Sequence, residues 1–280
     1  MSKGMRSFFS ARLWMGVSAA AVLCGVAGCV TTETTQLSGT GGIPDTNMAA
    51  ATRAPVDNQK RYEARLQLAV AYYQAGAYSV ALDDVNKALE AKPNAPEAIS
   101  LKGMIYDQMG DKAQGLAFLR QAASIDKSNG DYLHNYGAAL CSNKQTSEGI
   151  ASLQQAIAIP SYPNKASSWA AIGACYAEAG NVVQAENAFH QALSLDPRNV
   201  YALYQLSNFM FNRNDVQGAK YYFDQLPGLN NLNSAALWLG IKIARQQGDA
   251  YRMSQMARVL RANFPASKER AALERGDFTL

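Results

Sequence analysis

The sequence is poor in the side chains that most often carry catalysis. It has only two histidines, His134 and His190, and neither has a Glu or Cys at the spacing of a metal-binding motif. No serine stands in the turn context of a hydrolase nucleophile. We therefore expect a protein that is not an enzyme, with no catalytic residue, no metal site, no cofactor and no small-molecule substrate. An enzyme of unrecognised type stays possible at this point, and a buried cluster of His, Asp or Glu would indicate it.

The chain also lacks a strong charge of either sign. It has 26 Lys and Arg against 22 Asp and Glu, a net charge of +4. Three of the basic residues, Lys3, Arg6 and Arg12, precede residue 29 and no acidic residue does, which leaves a net charge of 23 minus 22, or +1, for the rest. Nucleic-acid binding requires a basic face, so we expect no nucleic-acid partner.

Long apolar runs are absent with one exception, which extends from Leu13 to Val26 behind the three basic residues. It is shorter than the roughly 20 residues of a membrane-spanning helix and is typical of a signal peptide. The residues Val26 to Cys29 read Val-Ala-Gly-Cys, which resembles the lipobox of bacterial lipoproteins. The resemblance implies cleavage after Gly28 and lipidation of Cys29. Because Val30, and not Asp, follows, it also implies the periplasmic face of the outer membrane.

Residues 29–60 change to a composition rich in Thr, Ser, Gly, Ala and Pro without periodicity. Such a composition is typical of a flexible linker. About thirty residues of this kind reach roughly 30 Å on average, so the linker allows a folded part to stand away from a bilayer.

Beyond residue 60 one pattern of small and large apolar residues recurs about every 34 residues. The copy that fits best contains, in order, Trp169, Ile172, Gly173, Tyr176, Gly180, Ala185, Phe189, Ala192 and Pro197. This spacing resembles the tetratricopeptide (TPR) repeat, a pair of helices. We predict an all-α TPR superhelix of six units at about 62–95, 96–129, 130–165, 166–199, 200–233 and 234–267. A short, partly helical tail at 268–280 follows.

The turn inside each unit needs a residue in the left-handed conformation, for which glycine is the usual choice. We expect Gly76, Gly110 and Gly180 to fill this position, and Asn214 to fill it in unit five. The third unit has Lys144 there instead. That unit is also two residues longer than the others, so we expect a longer connection between units three and four.

Few cysteines are present, and only Cys141 and Cys175 lie beyond the predicted lipidation site. They fall on the first helices of units three and four, two repeat positions apart. At 100° per residue this offset is a rotation of 200°, which places the thiols on the facing sides of neighbouring helices. In an oxidising compartment we expect them to form a disulfide rather than to remain free thiols.

The inner surface of a TPR superhelix is formed by the first helix of each unit. Aromatic residues on this inner surface are suited to bind an extended or helical segment of another protein. In units three and four the inner surface has mostly small residues, namely Ala138, Ala170, Ala174 and Ala177. The candidate partner-binding residues are Tyr73, Tyr201, Tyr204, Phe211 and Trp238. The alternative is that some of these rings pack between units.

The lipobox, the Thr-rich linker, the six units and the closing segment Leu237–Arg245, followed by Gly248 and Asp249, together resemble one family. It is the type IV pilus biogenesis and stability lipoproteins (PilF/PilW), which include pilotins of the outer-membrane secretin. The similarity extends from Cys29 to about Ala266. It implies a protein partner, the secretin or another pilus component, and a role in twitching motility. A TPR lipoprotein of another envelope machine, in outer-membrane protein assembly or cell-wall synthesis, is the alternative.

Overall fold

The computed structural model describes residues 57–279, and the predicted signal peptide, Cys29 and nearly all of the linker lie outside this part. The described residues contain thirteen α-helices and one 3₁₀ helix, and no strand occurs among them. Twelve of the helices form six antiparallel pairs. The pairs are α1 (Asn58–Gln74) with α2 (Tyr78–Ala91), α3 (Pro96–Gln108) with α4 (Lys112–Ile125), α5 (Gly130–Ser142) with α6 (Thr146–Ala158), α7 (Lys165–Glu178) with α8 (Val182–Leu195), α9 (Val200–Asn212) with α10 (Val216–Phe223), and α11 (Ser234–Gln246) with α12 (Ala250–Asn263).

The all-α TPR superhelix predicted from the repeat pattern is thus the fold of this part of the chain. The largest difference at a unit start is in the first unit, where α1 begins at Asn58, four residues before the predicted start. The carboxylate of Asp57 explains the early start, because it accepts a hydrogen bond from the backbone N–H of Lys60 and caps the helix.

Close packing within each pair explains the small residues of the pattern. A Cβ added to Gly137 of α5 would lie 2.8 Å from the carbonyl oxygen of Gly149 and 2.8 Å from Cγ of Leu153, both on α6. Real Cβ atoms do not approach other atoms so closely, so only glycine permits this crossing of α5 and α6. Ala69, in unit one, and Ala185, in unit four, are fully buried for the same reason.

The turns between paired helices use the left-handed conformation throughout. Gly76, Gly110 and Gly180 have φ angles of 76°, 89° and 78°. Asn214 takes the same position with φ of 62°, and Lys144 does so with φ of 63°. The backbone of a lysine is strained in this region, because its Cβ approaches the following carbonyl.

Two connections between units are longer than the usual four residues. The connection between units three and four has six residues, 159–164, in agreement with the longer repeat. The connection between units five and six has ten, 224–233, and includes a 3₁₀ helix at Leu229–Asn231. It was not predicted from the sequence, because the repeat period there stays at 34. α10 ends at Phe223 after eight residues, and the N–H groups of Gln225 and Leu226 donate to carbonyls three residues back and not four. Pro227 favours this break, because it has no N–H to donate and disfavours a helical conformation of the residue before it.

The chain closes with α13 (Lys268–Arg275), which packs on α11 and α12 with Ala272 fully buried. After it, Gly276 takes a left-handed conformation with φ of 64°. Residues 277–279 then turn back toward α11. Within residues 57–279, none of the helices combines the length and the apolar character that crossing a membrane requires.

Candidate functional site

The first helices of the six units form a continuous layer. α1 contacts α3, and the contacts continue through α5, α7 and α9 to α11. The surface of this layer is called the inner face below. It contains the positions at which sequence analysis placed partner-binding aromatics, and the structure divides those aromatics among three separate places.

Tyr73 lies at the end of the inner face formed by the first units. Its ring is half-buried and packs at 5.8 Å, between centroids, against the ring of Tyr78. Together with Asp107, Asn135 and Ala138 it lines a cleft of about 190 Å³. Burial raises the pKa of the Tyr73 hydroxyl above its ordinary value, so the group stays a neutral hydrogen-bonding hydroxyl at physiological pH.

Tyr201 is the most accessible of the candidates, with 46% of its surface exposed. It stands on the first turn of α9, whose start is fixed by Asn199, the side chain of which accepts from the N–H of Ala202. One edge of the tyrosine ring packs on Phe189 of the preceding unit at 5.9 Å between centroids. The exposed part of the residue is accessible to a partner.

Tyr204 and Phe211, also on α9, are half-buried and pack against the apolar cluster of unit six. The ammonium of Lys242 lies 5.4 Å from the centre of the Phe211 ring, a cation–π distance. Burial is the main cause that raises the pKa of Tyr204, and the negative charge of Glu269 adds to it. These two aromatics combine both interpretations offered by the sequence, since they pack between units and stay partly exposed.

Trp238 differs from its prediction. It is only 3% exposed and belongs to the core of unit six. The ring of Phe278, from the segment after α13, stacks on its indole with centroids 5.3 Å apart and planes 12° apart. The assignment of Trp238 as an accessible groove residue is therefore wrong for this structure, because the C-terminal segment covers a position that the repeat pattern places on the inner face.

The same region contains functional candidates that sequence analysis did not identify. The guanidinium of Arg245 lies 3.9 Å from the centre of the Phe278 ring. Both residues line an open cleft of about 390 Å³, together with Phe211, Lys242 and Gln246. No repeat position indicated Phe278, because it lies beyond the last unit. Arg245 belonged to the closing segment but carried no distinct signal of its own.

Cys141 and Cys175 form a disulfide, with sulfurs 1.97 Å and Cα atoms 5.3 Å apart. Both are buried, and the bond joins α5 to α7 across the boundary between units three and four. The rotation between the two repeat positions brings the cysteines together as expected from the helix geometry.

Hydrogen bonds also cross the boundary between units three and four. Nδ1 of His134 lies 2.9 Å from Oγ of Ser168, and that hydroxyl donates to the phenol oxygen of Tyr162 at 3.4 Å. Burial lowers the pKa of His134, which keeps the imidazole neutral. Although a serine beside a histidine resembles part of a hydrolase site, Ser168 is fully buried. The three side chains therefore hold units three and four together.

Ionisable side chains are otherwise dispersed. Among the residues from 57 to 279 there is no group of three or more His, Cys, Asp or Glu side chains that could hold a metal ion. The features on the inner face are aromatic rings, small residues and a few cations. This arrangement is suited to holding a peptide segment.

Comparison with known proteins agrees with the TPR fold. Two models of the tetratricopeptide repeat match the chain, one over residues 96–129 and the other over residues 176–239. The type IV pilus assembly protein PilF of Pseudomonas aeruginosa is 24% identical over 207 residues. The match covers 74% of this chain and 82% of PilF.

The solved structures of PilW and PilF have the same fold. The crystal structure of PilW, described as a widely conserved type IV pilus biogenesis factor, superposes with a TM-score of 0.63 at 27% identity. It covers 76% of this chain and 98% of PilW. The structure of PilF from Pseudomonas aeruginosa gives a TM-score of 0.62 at 22% identity and covers 78% of this chain and 99% of PilF. The likeness thus extends over nearly the whole folded part of both proteins.

Proposed function

We propose that this TPR protein, which is similar to the type IV pilus biogenesis factors PilF and PilW, is a lipid-anchored scaffold for pilus assembly. The observation that carries the proposal is the length of the match, which includes 82% of PilF and 98% of PilW. A match restricted to one or two repeats would indicate only a generic TPR unit, since these positions recur in unrelated scaffolds.

The proposed anchor is the lipidated Cys29, with the folded units on the periplasmic side of the outer membrane. The signal-like segment before Cys29 and Val30 after it support this location. Several acyl chains at about 0.8 kcal/mol per buried methylene suffice to hold a soluble domain on a bilayer. The disulfide between Cys141 and Cys175 is in keeping with export, because such bonds persist in oxidising compartments.

The proposed partner is the outer-membrane secretin or another pilus protein, bound on the inner face. Tyr201 offers the largest exposed aromatic surface there, and Tyr73 borders a second cleft. Aromatic side chains contribute a large share of the binding energy at protein interfaces. In this function the protein acts by holding its partner and performs no chemical reaction.

The test is complementation of a deletion strain, with twitching motility and heat-stable secretin multimers as readouts. Wild type should restore both, whereas Tyr201→Ala should restore them weakly and lower recovery of the partner in pull-downs from envelope extracts. Tyr221→Ala is the matched control, because Tyr221 is a tyrosine on the second helix α10 with 65% of its surface exposed. A deletion strain with normal pili but defective outer-membrane proteins or cell wall would contradict the proposal and favour another envelope machine.

A further inference from the structure

Three carboxylates lie at the same repeat position along one edge of the inner face. Glu63 of α1, Glu97 of α3 and Asp131 of α5 occupy, in units one to three, the position that Tyr201 occupies in unit five. These first helices are neighbours, since α1 contacts α3 and α3 contacts α5. Glu63 and Asp131 are exposed and Glu97 is half-buried. The three side chains are called the acidic row below.

The acidic row is not neutralised by basic side chains of the chain itself. Among the described residues, none of its carboxylates forms an ion pair with a Lys or Arg. The hydrogen bonds that they accept come from neutral side chains, among them those of Gln59, Tyr62 and Asn164. Such donors satisfy the oxygens but leave the negative charge in place.

The basic residues of the same helices are engaged elsewhere. On α1 each of them pairs with an acidic residue outside the helix, and the pairs are Lys60 with Asp57, Arg61 with Glu90 and Arg65 with Asp84. The one basic residue of α3, Lys102, has its ammonium 4.6 Å from the ring centre of Phe118 on α4, and α5 has no basic residue. Lys92, between α2 and α3, lies over the ring of Tyr62 at 5.1 Å from its centre. The acidic row therefore keeps an excess of negative charge.

Helix stabilisation accounts for only part of the acidic row. Glu97 and Asp131 stand in the first turns of their helices, where a negative charge interacts favourably with the helix dipole. Glu63 lies well inside α1, where this effect is absent. Burial raises the pKa of the Glu97 carboxyl, although the Tyr62 hydroxyl and the charge of Lys92 act in the opposite direction. A cation supplied by a partner would offset the cost of keeping this carboxylate charged.

An apolar strip runs beside the acidic row. Its residues, Val70, Met104 and Ala138, follow the three carboxylates by seven positions, which is two helical turns, and so lie on the same side of their helices. All three are partly exposed. Met104 and Ala138 also line the cleft of about 190 Å³ that Tyr73 borders. The inner face of units one to three thus has a negative edge and an apolar floor.

We propose that units one to three bind an extended basic segment of a protein partner, with its Lys or Arg side chains on the acidic row and its apolar side chains on the apolar strip. Neighbouring packed helices lie about 8–10 Å apart. In a polyproline II segment every third residue faces the same side, about 9 Å further on. A basic residue at every third position therefore meets the carboxylates of α1, α3 and α5 in turn. The proposal deepens the function proposed above and rests on it only for the partner being a pilus protein.

The experiment measures the binding of fluorescent peptides to the full-length protein, purified in detergent, at low ionic strength. The spaced peptide repeats Lys-Leu-Pro three times and should bind, more weakly as salt is added. The clustered peptide has the same composition with its lysines together, and it should bind on the order of fivefold more weakly because it cannot reach all three carboxylates. A peptide with Glu in place of each Lys should not bind.

Variants of the protein test the acidic row itself. The triple variant Glu63→Gln, Glu97→Gln and Asp131→Asn keeps the shapes of the side chains and should bind the spaced peptide about tenfold more weakly. Each single variant should bind it about twofold more weakly, which provides the comparison if circular dichroism shows that the triple variant has lost helix. Glu148→Gln is the matched control and should bind as wild type does, because Glu148 is an exposed carboxylate in the first turn of a second helix, α6.

Three results would overturn the proposal: no binding of the spaced peptide to wild type, equal binding of the spaced and clustered peptides, and unchanged binding by the variants of the acidic row. A wild-type oligomer that dissociates in the triple variant would also do so, because the acidic row would then face a second copy of the chain.

The peptide measurement involves no pilus component. It can therefore fail while the role in pilus assembly stands, and normal pili in the deletion strain would reject that role without affecting the peptide result. Envelope pull-downs connect the two, because the triple variant should recover less of the partner than wild type and Glu148→Gln should recover as much.

Discussion

At the scale of single residues, one position in the turn inside each unit has a left-handed backbone conformation. Glycine occupies it in four units with φ between 72° and 89°, asparagine in the fifth unit and lysine in the third. Lys144 is exposed and its backbone N–H donates to the carbonyl of Cys141. Its backbone conformation, and not its side chain, is therefore what matters there.

Lys144→Gly is expected to raise the free energy of unfolding by about 1 kcal/mol, because it relieves a left-handed conformation that costs an L residue about 1–2 kcal/mol. Chemical denaturation measures the change. Gly110→Ala is the opposite change and serves as the control, and it should lower the free energy of unfolding by a similar amount. No atom lies within 4 Å of the added Cβ, so the only cost is the strain of the backbone. A destabilised Lys144→Gly protein would show that the lysine side chain has a role the structure does not reveal.

His134 makes stability depend on pH. Burial lowers its pKa in the folded protein, whereas in the unfolded chain the pKa is about 6.5. The unfolded state therefore binds more protons below pH 6.5, and stability falls as the pH decreases through that value, by at most about 1.4 kcal/mol per pH unit. Urea unfolding at pH 7.5 and 5.5 should show a smaller loss for His134→Gln than for wild type. The exposed His190→Gln should retain the wild-type loss, and equal losses in all three proteins would remove His134 as the cause.

At the scale of elements, one boundary carries more connections than the others. Units three and four share the disulfide between α5 and α7, the hydrogen bonds of His134, Ser168 and Tyr162, and a longer connection. In the six-residue connection Tyr162 is buried against Gly130, whose missing Cβ leaves room for the ring. These links add to the packing of α5 and α6 on α7 and make this boundary the most strongly connected one among the described residues.

Replacing both Cys141 and Cys175 by alanine is expected to lower the free energy of unfolding by roughly 3–4 kcal/mol, the chain-entropy value for a loop of this length. The closed loop spans a sequence separation of 34 residues. Wild type in a strong reductant should lose a comparable amount, while the variant should not respond to reductant. Two reactive thiols per chain in denatured, unreduced wild type would mean that the bond does not form in the cell.

Features that depend on single residues at fixed repeat positions could be predicted from the sequence. The left-handed turns follow from Gly76, Gly110, Gly180 and Asn214, and the disulfide follows from the angle between two repeat positions. The early end of α10 was missed because the constant period hid the effect of Pro227. Such a break depends on one residue inside the repeat and not on the spacing of repeats.

At the scale of the whole molecule, the surface of the candidate binding site could be predicted only in part. The repeat pattern assigns a side chain to the inner face, but it contains no information on what else folds over that face. For this reason Tyr201 stays exposed as expected, whereas Trp238 is covered by Phe278 from beyond the repeats. A triple alanine variant of Tyr201, Tyr204 and Trp238 would therefore mix lost binding with lost core packing, and Tyr201 alone is the cleaner choice.

The proposed location of the whole molecule depends on a single atom, the sulfur of Cys29. Cys29→Ser removes the sulfur to which the proposed lipid is attached, so under this proposal the protein should leave the outer-membrane fraction and appear in the soluble periplasm or uncleaved at the inner membrane. Palmitate labelling and fractionation measure this directly. Val30→Ala is the control and should keep the wild-type location, because it changes the next residue without introducing the aspartate that the lipobox resemblance associates with retention at the inner membrane. If the Cys29→Ser protein is still labelled and still found in the outer membrane, the protein is held there by something other than a lipid on this cysteine, and attachment through a protein bound to the inner face becomes the better explanation.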